Sequence, residues 1–122
     1  MMKRIQREGR EELYLDIESF SVCKFVNTDF HRAILNEDIL SSELFNVDFR
    51  NAKLNNLNMN NSKIVDTKFI LVEAENVDFS NCTFINTYIA YCKFTNCIFN
   101  NTVFIKCNSK ENVFINCEMP KI

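Results

Sequence analysis

The chain has 122 residues, a formal net charge of −2 and 47% apolar residues, with one Gly, one Pro and no Trp. That length suits one domain with a buried core. No apolar run nears the roughly 18 residues of a membrane span, and residues 1–17 carry no signal-peptide core. A cytoplasmic protein is expected, without a membrane partner.

Residues 1–17 mix charges with apolar residues, and Leu13, Leu15 and Ile17 alternate, which predicts an N-terminal strand or cap segment. Charge is uneven along the chain: residues 1–10 carry +3, residues 11–48 carry −7 and residues 49–122 carry +2. Asp29, Glu37, Asp38, Glu43 and Asp48 make the second region a candidate acidic patch.

From residue 18 onward the chain pulses in fives. Phe20, Phe25, Phe30, Leu35 and Leu40 form a first run; a second runs from Leu44 through Phe49, Leu54, Met59, Ile64, Phe69, Ala74, Phe79, Phe84, Ile89, Phe94, Phe99, Phe104, Ser109 and Phe114 to Met119. A period of five fits neither the 3.6 of a helix nor the 2.0 of a plain strand, so the segment reads as a solenoid of stacked repeats. With the large apolar residue labelled i, position i−2 holds small residues. The two share one side of an extended segment and face the interior together, while i−1 faces out. Position i+2 is mostly Asn, the non-Gly residue best suited to turning the corner.

The stretches VDFSN, CTFIN, CKFTN and CIFNN carry a resemblance to the pentapeptide-repeat family. It implies an all-β fold, a right-handed quadrilateral β-helix with four repeats per coil, spanning residues 18–122 as one domain of about five coils. At ~4.8 Å per coil the rod would be about 24 Å long.

One slip interrupts the frame, because Leu35 and Leu44 are nine residues apart. A deletion, bulge or small loop is predicted within residues 36–43. If Leu40 is a centre, Asp38 falls in a nominally inward position, where an unpaired carboxylate is costly. Ala74 and Ser109 are undersized centres, which predicts small gaps in the core.

Cys23, Cys82, Cys92, Cys97, Cys107 and Cys117 all fall at i−2 and read as small buried residues with free thiols. No metal-ligand spacing is present, and His31 is the sole imidazole, far from the cysteines in register. No catalytic set, phosphate loop or cofactor motif is evident, so the expectation is a protein that is not an enzyme and uses no cofactor or metal. Beyond the four N-terminal bases no basic face exists, which argues against direct nucleic-acid binding.

Stacking every fourth repeat places Phe45, Val65, Ile85 and Ile105 in one outward column, extended by Val26. The neighbouring column adds Ile70, Leu71, Tyr88, Ala90 and Tyr91. This apolar stripe is a candidate partner interface, against the simpler reading that β-branched residues stack well on a strand surface. After Met119 no capping helix follows, and the resemblance implies an end-to-end homodimer through Phe114, Met119 and Ile122. The function expected is therefore non-enzymatic protein binding or scaffolding by a homodimer acting through the exposed apolar stripe. The alternative implied by the resemblance is a DNA mimic that modulates an enzyme such as a type II topoisomerase, using the acidic 11–48 segment.

Overall fold

The computed structural model describes residues 2–120. Its elements are fifteen strands: β1 (Lys3–Arg7), β2 (Arg10–Leu15), β3 (Lys24–Val26), β4 (Ile34–Leu35), β5 (Glu43–Phe45), β6 (Lys53–Asn58), β7 (Lys63–Val65), β8 (Lys68–Ile70), β9 (Glu73–Asp78), β10 (Thr83–Ile85), β11 (Tyr88–Ala90), β12 (Lys93–Thr95), β13 (Val103–Ile105), β14 (Asn108–Lys110) and β15 (Val113–Ile115). All but the first two belong to a four-sided parallel solenoid of about five coils. Its first face stacks β3, β5, β7, β10 and β13; its second stacks β8, β11 and β14; its third stacks β4, β6, β9, β12 and β15. The fourth is held by the bridges from Asp78 to Ile98 and from Ile98 to Glu118.

Each position of the repeat recurs in the same structural role. The centres i fill the interior, where rings stack up the axis: Phe79 on Phe99 at 5.0 Å between centroids, Phe84 on Phe104 and Phe94 on Phe114, each at 5.1 Å. Each fully buried large side chain is worth roughly 1.5–3 kcal/mol of apolar transfer. The i+2 residues turn the corners with positive φ, at Asn46, Asn51, Asn56, Asn61 and on in fives to Asn116. Their amides also link coils, as Asn76 Nδ2 donates to Asn56 Oδ1 at 2.9 Å and Asn116 Nδ2 to Asn96 Oδ1 at 2.7 Å.

The i−2 position does more than pack. Ser42 Oγ donates to the Phe20 carbonyl at 2.7 Å, Ser62 Oγ to Ile39 at 2.7 Å and Thr102 Oγ1 to Phe79 at 2.8 Å. In each case the group satisfies a centre's carbonyl one coil below. Cys82 Sγ makes the same bond to Met59 at 2.9 Å and Cys92 Sγ to Phe69 at 3.0 Å. A buried carbonyl without a donor is costly, so small size and a donor are both selected there.

The slip is one missing residue between Leu35 and Ile39, and Ile39 rather than Leu40 is the centre. Ile39 is buried and its N–H donates to the Asn58 carbonyl at 2.9 Å, as Met59 does to Asp78 at 2.8 Å in the next coil. Left-handed corners occur at Arg32 and then at Ser41, so the corner between them is turned without one. Asp38 is exposed rather than inward, and its Oδ1 accepts the Asn58 N–H at 2.9 Å. A side chain thereby supplies an acceptor where the shortened corner disturbs the ladder. The frame then resumes, and the first coil takes nineteen residues where later ones take twenty, as Phe25 pairs with Leu44 but Leu44 with Ile64.

The segment before the solenoid is an antiparallel hairpin, β1 on β2, turned at Gly9 with φ 69°. Arg7 bridges antiparallel to Ala33, laying β1 against the N-terminal edge of the third face. Ile5 is buried in the core, and Leu13, Leu15 and Ile17 pack against it.

Candidate functional site

Along the first face, position i−1 reads Lys24, Glu43, Lys63, Thr83 and Val103; along the third, Ile34, Lys53, Glu73, Lys93 and Val113. On the first face the outward charge is already gone at Thr83 and on the third it lasts to Lys93, and in the last described coil both edges read Val-Phe-Ile. Edge strands are ordinarily protected by charge or Pro, and these two lack both. Phe104 and Phe114 are 43% exposed and Met119 47%, with Val103, Ile105, Val113 and Ile115 exposed beside them. Between them an open cavity of about 240 Å³ reaches down to Phe69, Phe84, Ile89, Phe94 and Phe99. Ser109 and Met119 also line it, Ser109 standing at a centre position that carries Phe69 and Ile89 in the coils below.

The lateral stripe is less open than its column suggested. Phe45, Val65 and Ile85 are half-buried because each is covered by its neighbours in the stack, and Phe45 also lies under Lys24 Nζ at 5.3 Å. Ile105 at the last coil and Val26 at the first are exposed. On the adjoining column Ile70 is half-buried and Ala90 is buried, so Ala90 is no surface residue. Leu71, Tyr88 and Tyr91 are exposed. Leu71 and Tyr91 hold left-handed φ of 57° and 56° at a corner where Asn51 stands one coil earlier. Bulky residues adopt that conformation at a cost, whereas Asn tolerates it.

The acidic residues do not make a free acidic surface. Asp29 lies 3.7 Å from Arg7 and 3.2 Å from Arg10, and Glu37 is 2.8 Å from Lys3, so the hairpin neutralises both. Asp48 is 2.8 Å from Arg50. Burial pushes the Asp48 carboxyl up, but hydrogen bonds from the Arg50 side chain and backbone outweigh it and hold it below its ordinary value. Glu43 sits between Lys24 and Lys63 in the ladder, and Asp38 is engaged by Asn58.

Of the end residues, Phe114 and Met119 lie at the last coil, and Ile122 lies outside the described residues. Val103, Phe104, Val113 and Ile115 were not singled out from sequence, although the signal was present as the tripeptide Val-Phe-Ile repeated ten residues apart. Burial pushes the Cys82 thiol up to about 12 and those of Cys92 and Cys97 to about 11. Cys97 and Cys117 are neighbours, the Cys97 N–H lying 3.5 Å from Cys117 Sγ, and both are free thiols. Among the described residues no three potential metal ligands converge. No helix among them is long and apolar enough to cross a membrane.

The repeat register, the corners in fives and the stacked faces define a pentapeptide solenoid. The sequence matches the model of the pentapeptide repeats in eight copies, over residues 42–81 and 66–101, and the chain belongs to the pentapeptide-repeat family. No curated protein matches the sequence. Among solved structures, a pentapeptide repeat protein (Rfr23) from the cyanobacterium Cyanothece 51142 is 11% identical with a TM-score of 0.36, over 79% of this chain and 90% of that one. A trypsin-treated variant of QnrB1, a plasmid-mediated fluoroquinolone resistance protein, is 14% identical with a TM-score of 0.29, over 80% of this chain and 70% of that one. Neither likeness bears on function.

Proposed function

We propose that the chain is a non-enzymatic binding solenoid whose C-terminal coil is the docking surface, closed by a second copy. The observation that carries this is the pair of uncharged edges in the last described coil, Val103–Ile105 and Val113–Ile115, which leave Phe104 and Phe114 exposed. Apolar edge strands of this kind accept further strands, and burying their side chains drives association. Sedimentation equilibrium of the intact chain beside a Val103→Lys/Val113→Lys variant tests it. A dimer that the paired substitution dissociates, with the melting temperature of the monomer retained, is expected; a wild-type chain that stays monomeric at every concentration would overturn it.

A lateral contact through Ile70, Leu71, Tyr88 and Tyr91, continuous with the Phe45 to Ile105 stripe, is the second reading. It is favoured by the left-handed backbone at Leu71 and Tyr91, since strain of this kind is retained where side-chain identity matters elsewhere. Leu71→Asn with Tyr91→Asn should relieve that strain and leave self-association intact if the end coil is the contact. Loss of association in this variant would move the contact to the side. The DNA-mimic alternative needs a free acidic face, and the ion pairs at Asp29, Glu37 and Asp48 leave it without geometric support, so it is not advanced.

A further inference from the structure

We infer that His31 is a pH-sensitive latch between the hairpin and the first coil, closed while its ring is neutral and opened when the ring is protonated. The inference is independent of what docks on the C-terminal coil.

The hairpin is fixed to the solenoid at both of its ends. Near its start Ile5 sits in the core and Lys3 Nζ reaches Glu37 at 2.8 Å. At its turn the Glu8 N–H donates to the Arg32 carbonyl at 2.8 Å, and the Glu8 carboxylate meets Lys53 Nζ at 2.8 Å. Arg10, the first residue of β2, adds the contact that titrates. Its Nη1 lies 3.2 Å from His31 Nδ1 and 3.2 Å from Asp29 Oδ2, with Asp29 Oδ1 and the His31 carbonyl each at 3.5 Å.

A guanidinium can only donate. His31 Nδ1 is therefore the acceptor, and the proton of the neutral ring sits on Nε2. Protonating Nδ1 removes that acceptor and sets one donor against another. The surrounding charges oppose it as well. Arg7 and Arg10 approach from the hairpin and Arg50 from the next coil, against the carboxylates of Asp29 and of Asp48, its bridge partner one coil on. Three guanidiniums thus face two carboxylates before the ring gains a charge. Arg32 and Lys68 flank this group, Lys68 being bridged to Asp48, and the Glu8 carboxylate is taken by Lys53.

Histidine is the side chain that ordinarily changes charge between pH 8 and 5. The latched form holds the ring neutral, so its contribution is present at the upper end of that window and is lost as pH falls. Lys53 holds the Glu8 carboxyl below its ordinary value, which keeps that ion pair formed throughout. Opening is therefore local. Ile5 stays in the core, while the turn from Glu8 to Arg10 lifts and uncovers the Arg32 carbonyl at the edge of the first coil, where a further strand can pair.

The Glu8 amide reports the latch directly. Its hydrogen-exchange protection, corrected for the intrinsic pH dependence of exchange, should fall about tenfold between pH 7.5 and 5.5, the loss of roughly one charge-assisted hydrogen bond. The Lys53 amide, which donates to the Ala33 carbonyl at 2.9 Å within the solenoid, should keep its protection. His31→Gln retains a side-chain acceptor that does not titrate, and its Glu8 protection should be the same at both pH values; Arg10→Gln should show the reduced protection at both. Wild-type protection at Glu8 that is equal at the two pH values, or a fall that persists in His31→Gln, would overturn the latch. The ring nitrogen shifts of wild-type His31 at pH 8 give a test that needs no variant: a proton on Nε2 is expected, and a proton on Nδ1 would overturn the geometry.

Discussion

At the N-terminal end the interior is closed by Ile5, pressed under a hairpin that pairs with the third face, and the surrounding acids are met by Lys3, Arg7 and Arg10. At the C-terminal end Phe104, Phe114 and Met119 stand half out of a cavity, and the two flanking edges carry no charge. The first coil and the last described coil therefore differ. One satisfies its apolar and polar demands within the chain; the other presents them outward. A solenoid coil buries its faces only against neighbours; the first coil has the hairpin as that neighbour, whereas the last described coil leaves its apolar edges exposed.

The sharpest way to break the plugged end is Ile5→Asp, which puts a carboxylate into a dry interior. A loss of roughly 3–5 kcal/mol is expected in urea denaturation, and Ile5→Ala should cost somewhat less, about 2–4 kcal/mol. Equivalent damage at the open end should be far milder: Phe114→Ala removes a ring already 43% exposed, and we expect about 1–2 kcal/mol for the monomer. If the two ends respond equally, the contrast between them fails.

The slip beside the plugged end allows a finer test. Asp38→Ala deletes the acceptor of the Asn58 N–H and should cost about 1–2 kcal/mol, while Asp38→Asn keeps an acceptor and should cost less than half of that. Equal losses would mean that charge rather than the hydrogen bond matters there. At the corner of the same coil, Val22 holds φ 53° and is 82% exposed, so Val22→Asn should stabilise by about 1 kcal/mol.

Smaller still is the pH effect. The Lys53 hydrogen bond and charge hold the Glu8 carboxyl below its ordinary value, joining the hairpin to the third face. A carboxyl lowered on folding stabilises above its unfolded value and loses that contribution as pH falls through its folded one. Melting temperature should therefore drop below about pH 4, and Lys53→Ala should flatten part of that decline.

Much of this was legible in the sequence, because a period of five admits few structures. The centres, the small i−2 residues and the Asn corners all follow from it. Three features were not legible, each for a physical reason. Ile39 and Leu40 are adjacent and both apolar, so periodicity could not choose between them; the choice follows from the shortened corner and from Asp38 serving as a backbone partner. Ile5 is a lone apolar residue among charges, and only the hairpin about Gly9 turns it inward. The lateral stripe was over-read because residues stacked in register cover one another, leaving Phe45, Val65 and Ile85 half-buried. The C-terminal coil, by contrast, is legible through Phe114 and Met119, and the repeated Val-Phe-Ile at residues 103–105 and 113–115 adds Val103, Phe104, Val113 and Ile115 to it.

Amide hydrogen exchange at Lys106 and Asn116 tests the central claim most directly. Their equivalents one coil below, Asn86 and Asn96, donate to the Ile105 and Ile115 carbonyls at 2.9 Å, whereas no described coil lies above Lys106 and Asn116. If a second copy covers this end, their exchange should slow as protein concentration rises, while the amides of β1 and β2 stay unchanged. Fast exchange at Lys106 and Asn116 at every concentration would contradict it.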